Sequence, residues 1–418
     1  RHCRVLHRAD RSRRNLMDPP GRWAQLATLA ASMVLSMATW FSASAVLPQL
    51  REEWSLSTAT SSWLTIAVQL GFVFGALVSA TTSLSDLVAP RHLVLAGTAG
   101  AAAANLLLLA ADGPELAIPA RFATGAFLAL VYPPALKAMS TWFRRGRGLA
   151  LGTMVGALTI GSAMPHLVNG VGGARWEDVI VVTSAITLLG GLIAEVATRD
   201  GPYPFPRAVF QPSQIGAIVR HRGNRLASIG YFGHMWELYA MWAWFAAFFA
   251  DTLAMKGHDD ATTATSIVTF VVIGSGAIGC VGGGFLADRW GRTRTASAAL
   301  LISGTAALTI GWLRHGPIWL TVGVGVVWGI AVVADSAQFS AMVTEVCDQA
   351  YVGTAVTLQL AAGFVLTVAT IWLVPELRDL VGWDWAFVVL VPGPLLGIAA
   401  MRALARSTHA ARIAGGRG

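Results

Sequence analysis

Apolar stretches of about 20 residues, the length needed to cross bilayer hydrocarbon as a helix, follow one another along almost the whole chain. Short breaks rich in Gly, Pro and charge separate them. Twelve such stretches begin near Ala24, Ser61, Leu93, Leu116, Gly148, Val179, Leu226, Thr263, Thr295, Ile318, Val352 and Trp383. The pattern predicts an all-α membrane protein of twelve transmembrane helices. The longest polar break runs from Arg199 to Arg225 and is stiffened by Pro202, Pro204, Pro206 and Pro212. It divides six spans from six, so the expected units are a basic tail (1–22), a first six-helix bundle (23–198), a linker (199–224), a second bundle (225–404) and a short tail (405–418). Connections such as Ala111–Pro114 and Arg314–Pro317 are short, which makes consecutive spans antiparallel neighbours. Glycines inside spans, among them Gly152, Gly156, Gly161, Gly325 and Gly329, suit close helix contact in lipid.

Composition agrees: 55% of the 418 residues are hydrophobic and 12% charged, which belongs to the membrane class. A net charge of +8 raises the question of nucleic acid, and the distribution of the charge answers it. Basic residues gather in the N-terminal tail, at Arg91, at Lys137 to Arg147, between Arg199 and Arg225, at Arg289, Arg292 and Arg294, and after Leu404. On the alternate side stand Arg51, Arg175, Lys256, Arg314 and Arg378. That asymmetry is the positive-inside rule; it predicts both termini in the cytoplasm and needs no nucleic-acid partner. The expected location is a bacterial cytoplasmic membrane, spanned many times by a monomer. Arg1 to Asn15 is Arg-rich and lacks the apolar core of a signal peptide. Met17 is read as the start, and residues 1–16 as a leader translated in error or a disordered cytoplasmic tail.

Soluble chemistry finds no foothold. Gly274 to Gly279 matches G-x-G-x-x-G, but the acid required about 20 residues later is replaced by the apolar run Ala298–Leu301. Phosphate-loop, zinc-protease, C-x-x-C and G-x-S-x-G patterns are missing from the sequence, and Cys3, Cys280 and Cys347 are too scattered for a disulfide or metal framework. The chain is expected to be no enzyme and to carry no metal or cofactor.

One loop is distinctive. Gly284-Phe285-Leu286-Ala287-Asp288-Arg289-Trp290-Gly291-Arg292 joins spans eight and nine, and a degraded copy, Thr82 to Arg91, joins spans two and three. The G-x-L-A-D-R-x-G-R pattern and the two related halves resemble the major facilitator superfamily of secondary transporters, over roughly Trp23 to Leu404. The resemblance implies two pseudo-symmetric bundles with a solute site between them, reached by alternating access. It also implies a gating role for Gly284, Asp288, Arg289, Gly291 and Arg292, with Asp288 partnered by the arginines that follow it, and a weaker one for Asp86 and Arg91. In the first copy Leu87, Ala89 and Pro90 replace the Arg, Gly and Arg of the pattern. Within the superfamily the chain is distantly similar to nitrate and cyanate-type porters, although spans two and eight hold none of the arginines that nitrate porters use there. Gly161 to Pro165 in span five looks like the Gly/Pro-rich helix of antiporters; packing explains it equally.

Polar groups inside spans are costly and tend to face a water-filled path. Arg121, in a stretch similar to the R-x-x-x-G of the facilitator fourth helix, is either a structural counter-charge or an anion clamp or proton-relay partner. Span seven carries Tyr231, His234, Glu237 and Tyr239; His234 and Glu237 lie one turn apart and are expected to hydrogen-bond, with Glu237 carrying a coupled proton and His234 modulating it. Asp335 in span ten, beside Ser336, Gln338 and Ser340, suits a gate or helix pairing as well as solute contact. His166, Trp40, Tyr132 and Gln359 complete the expected cavity, where aromatics could equally be lipid-facing.

The sequence therefore predicts a secondary active transporter of a small solute, an organic or inorganic anion, driven by an ion gradient of protons. Drug or metabolite efflux is the alternative; a sensor that carries no solute would need a soluble output domain, and these loops leave no room for one. Reporters fused after Arg207 and at Gly418 should be cytoplasmic and one inserted near His258 external; an external signal after Arg207 would overturn both orientation and span count.

Overall fold

The computed structural model describes residues 19–143, 146–172, 175–203, 211–258, 261–348 and 351–417. The proposed start at Met17 and most of the basic tail lie outside them. Among the described residues every regular element is helical. Eleven helical spans are long and apolar enough to cross a membrane. The first pass is the exception, because it is broken: Arg22–Ser36 stops, the chain turns through Met37 to Phe41, and the pass resumes as Ser42–Ala45 and Leu47–Glu53. Short polar side chains cause the stop. Ser42 Oγ donates to the Thr39 carbonyl at 3.1 Å, a local bond that competes with the helical ladder.

The remaining passes are Thr58–Thr81, Pro90–Ala110, Pro114–Ser140, Arg147–Gly172, Trp176–Ala197, Arg222–Met255, Thr262–Trp290, Arg292–Leu313, Ile318–Val346, Val352–Val381 and Trp383–Ala405. The expected boundaries thus recur within a few residues. The fourth pass relaxes between Leu128 and Tyr132, and the tenth breaks at Asp335.

Small residues set the helix spacing within each half. A Cβ on Gly71 would sit 1.9 Å from the Phe122 carbonyl oxygen and one on Gly125 2.0 Å from that of Val68, so the second and fourth passes touch backbone to backbone. The second half repeats the device between passes eight and ten, where a Cβ on Gly279 or Gly329 would lie 1.9 or 1.8 Å from a facing carbonyl oxygen. Lipid tails are as apolar as the helices, so close van der Waals contact, rather than expulsion of water, holds them together.

The halves meet along three seams. Phe72 of pass two packs on Phe364 of pass eleven, with ring centroids 4.7 Å apart, and Trp40 and Phe41 of pass one pack on Tyr239 and Trp242 of pass seven. Pass five runs beside pass eight. At the face carrying both termini Gly148 abuts the Asp288 carboxylate, and at the opposite face Asn169 Nδ2 donates to Ser266 Oγ at 3.0 Å. Both ends of that seam are closed.

The terminal face holds more structure than the sequence suggests. The linker adds a short helix, Ile215–Arg220. The C-terminal tail, expected as a plain extension, coils over Thr408–Gly415 and buries Ile413 completely. Its Ala414 amide donates to Glu345 at 3.0 Å, and Arg417 donates to the Asp288 carbonyl at 2.7 Å.

Gly125→Leu should force passes two and four apart. Overpacking costs about 1–3 kcal/mol, so the purified variant should melt several degrees lower in detergent; an unchanged melting temperature would show that this contact does not limit stability.

Candidate functional site

A cavity of about 60 Å³ lies between the halves, room for a few waters. Pass one contributes Trp40, pass two Phe72, pass four Tyr132, pass seven Tyr231, His234 and Tyr239, pass ten Ser336 and Ser340, and pass eleven Phe364. Of the residues expected from sequence, Trp40, Tyr132, His234 and Tyr239 line it. Arg121, His166, Glu237, Asp335 and Gln359 are buried elsewhere.

His234 and Glu237 do not hydrogen-bond to each other, contrary to the expectation from their spacing. Each finds partners on other helices instead. Glu237 is wholly buried and accepts from Trp328 Nε1 at 2.6 Å and Ser303 Oγ at 2.8 Å. His234 Nδ1 lies 2.9 Å from Asp335 Oδ1, an ion-pair approach rather than a straight hydrogen bond, and its Nε2 lies 2.8 Å from Ser336 Oγ. A buried charge needs a partner more than it needs proximity in sequence, and passes nine and ten supply partners in different directions.

The break in pass ten creates this arrangement. Asp335 ends Ile318–Ala334 and precedes Ser336–Val346, and its carbonyl accepts from the Gln338 amide at 2.8 Å. An unbroken helix would turn Asp335 and Ser336 about 100° apart; here both reach one imidazole. Asp335 stands near the middle of its pass, Ile318–Val346. Ser336, Oγ toward His234, lines the cavity together with that imidazole, and Asp335 stands behind them.

Arg121 is fully buried and supports the broken first pass. Its Nη1 donates to the Thr39 carbonyl at 3.0 Å, to Ser42 Oγ at 3.0 Å and to Asn105 Oδ1 at 2.8 Å; Nη2 donates to the Trp40 carbonyl at 2.5 Å and Nε to that of Leu64 at 3.4 Å. Carbonyls freed by the break thus find donors inside the hydrocarbon layer. Asn105 completes the network, donating to Ser184 Oγ at 3.0 Å. Sequence reasoning passed over Asn105, although a lone amide in the Ala-rich third span was a visible signal. His166 Nε2 and Gln359 Nε2 are enclosed without a partner.

The charged turns differ from expectation in their pairing. Arg292 grips Glu345 at the end of pass ten, with Nη2 at 2.7 Å and Nε at 3.0 Å, and its Nη1 donates to Gln338 at 2.9 Å. Arg289 lies over the Phe285 ring at 5.0 Å. Neither pairs with Asp288, whose carboxylate faces Gly148 at the start of pass five; Gly284 packs against the Gly148 carbonyl and Gly291 turns the chain at φ 93°. In the first copy Asp86 pairs with Lys137 of pass four at 2.5 Å, while Arg91 approaches Glu195 of pass six at 3.9 Å. Lys137 and Glu345 were both missed because nothing local in sequence points from one pass to a turn two passes away.

Twelve passes in two matching halves, with a cavity at their seam and paired charged turns, define a class, and the chain belongs to it: the family model described as Major Facilitator Superfamily matches residues 29–256. A second, described as Sugar (and other) transporter, matches residues 227–409. The chain is similar to the multidrug efflux pump LfrA of Mycolicibacterium smegmatis, at 30% identity over 45% of this chain and 38% of that one. It is similar also to the MFS transporter asaE of Aspergillus flavus, at 27% identity over 62% and 57%. The matches thus span about two fifths to three fifths of these relatives. Its fold is that of a bacterial homolog of the human lysosomal transporter Spinster in an inward-facing, occupied conformation, with a TM-score of 0.67, 16% identity, and coverage of 95% and 99%.

Arg121→Met would leave buried carbonyls without donors, at a cost of several kcal/mol each in hydrocarbon. The variant should show little folded protein on size exclusion, whereas His166→Ala should remain soluble and monodisperse. Normal yield of Arg121→Met would favour a solute-binding role over bracing.

Proposed function

We propose that the chain is a secondary transporter that moves a small organic solute by alternating access and draws on a proton gradient. The observation that carries this reading is the interfacial cavity whose polar wall, Ser336 and His234, leads on to Asp335. A titratable pair of which one member, His234, lines the solute space allows proton and solute binding to influence each other, since a proton taken up by the pair changes what His234 and Ser336 donate or accept. Glu237, fixed by Trp328 and Ser303 outside the cavity, suits helix pairing better than proton carriage.

Aromatic walls favour an organic solute. The lining has no arginine or lysine, so an inorganic anion gains no support there, and the efflux function named for LfrA points to export of a drug or metabolite. Gradient coupling requires a sealed membrane; the basic residues concentrated at the terminal face support a topology with both termini in the cytoplasm of a bacterial inner membrane. The two halves meet along three seams within one chain, which suits a working monomer.

Asp335→Asn and His234→Gln should abolish pH-driven dye accumulation in inverted vesicles while leaving counterflow of labelled solute. Glu237→Gln should retain the wild-type pH profile. Accumulation with an unaltered profile in both of the first two variants would rule out the His234–Asp335 pair.

A further inference from the structure

The chemistry of the cavity wall narrows the solute itself, resting on the reading of this cavity as the solute site. We propose that the cavity takes an uncharged, planar aromatic solute whose edge carries several oxygen acceptors.

Flat surfaces dominate the walls. Trp40 stacks on Tyr239 at 5.9 Å with an interplanar angle of 26°, and Phe364 meets Tyr239 at 5.1 Å and Trp40 at 5.9 Å. Rings arranged this way receive a ring by offset stacking or edge contact. A branched aliphatic solute would leave gaps against them.

Hydrogen-bonding capacity at the wall is biased toward donation. The indole N–H groups of Trp40 and Trp242, both cavity-lining and 1% exposed, are enclosed without an acceptor. Indole nitrogen donates and cannot accept. Tyr132, Tyr231, Tyr239 and Ser340 line the same space, and their hydroxyls bond to no protein group among the described residues. Buried polar groups are nearly always satisfied in folded proteins, so the two enclosed indole N–H groups lack the acceptor such donors normally have, and the hydroxyls beside them offer further bonds to an incoming solute. Carbonyl, ether or phenolic oxygens on the edge of a ring system match donors of this kind.

Charge is excluded by the same wall. No Asp, Glu, Lys or Arg lines the cavity, and its one imidazole is already engaged by Asp335 and Ser336. A permanently charged solute would shed its hydration with no counter-ion to meet it. At about 60 Å³ the cavity is smaller than a ring system; a ring enters when the seams between the halves part.

The test is isothermal titration of the protein in lipid nanodiscs, with empty nanodiscs as the blank, using 1,8-dihydroxyanthraquinone against the tetraphenylphosphonium cation. Saturable binding of the quinone, at least about tenfold tighter than the cation, is expected. Tyr239→Phe keeps its ring, Trp242→Phe keeps an aromatic face, and each should weaken it by a few-fold to about tenfold, the effect of one neutral hydrogen bond. Equal or tighter binding of the cation, no quinone binding, or unchanged affinity in both variants would overturn the proposal. The transport reading fails separately: quinone bound in nanodiscs but never moved in vesicles refutes transport and upholds the site, whereas cation transport without quinone binding does the reverse.

Discussion

Everything in this molecule depends on satisfying backbone polar groups where no water can reach them, and Arg121 is where that constraint is most visible. A break in a transmembrane helix frees carbonyls that hydrocarbon cannot solvate. One guanidinium, held at 0% exposure by the Thr39, Trp40 and Leu64 carbonyls with Ser42 and Asn105, supplies the missing donors. The break in turn lets Trp40 stand in the interface between the halves, so an aromatic wall of the cavity exists because a buried cation braces the chain behind it.

The two halves solve a common problem with opposite signs. In the first, an acid on the turn, Asp86, meets a base at the end of pass four, Lys137; in the second, a base on the turn, Arg292, meets an acid at the end of pass ten, Glu345. Asp86 corresponds to Asp288 rather than to Arg292, whose counterpart is Pro90, so the halves keep a contact between turn and pass while both its residues and its polarity change. That exchange explains how the first copy of the loop could lose the arginines of the pattern and keep an ion pair.

Much of this architecture was legible in the chain. Span positions, the division into halves and the membership of the superfamily follow from hydrophobic run length, the Pro-rich break and the Asp288 loop, all of them local patterns. The cavity was half legible: Trp40, Tyr132, His234 and Tyr239 stood out as polar or aromatic positions inside apolar runs. Pairings were not. His234 and Glu237 are one turn apart, yet partners from passes nine and ten separate them, and Arg292 turns from Asp288 to Glu345. A helix periodicity states which face a residue occupies; which helix meets that face depends on packing between distant segments, and a single sequence does not display it.

The broken first pass has a consequence for how the protein is made. Eleven helical spans satisfy their length requirement alone, but the segment from Arg22 to Glu53 reaches a stable membrane state only when Arg121 and Asn105, on passes emerging later from the ribosome, have arrived to cover its carbonyls. Until the fourth pass is synthesised, the first must wait at the insertion machinery or adopt another, continuous helix. Its final shape therefore depends on passes made later, and a mutation at Arg121 should be felt during biogenesis as well as in the finished protein.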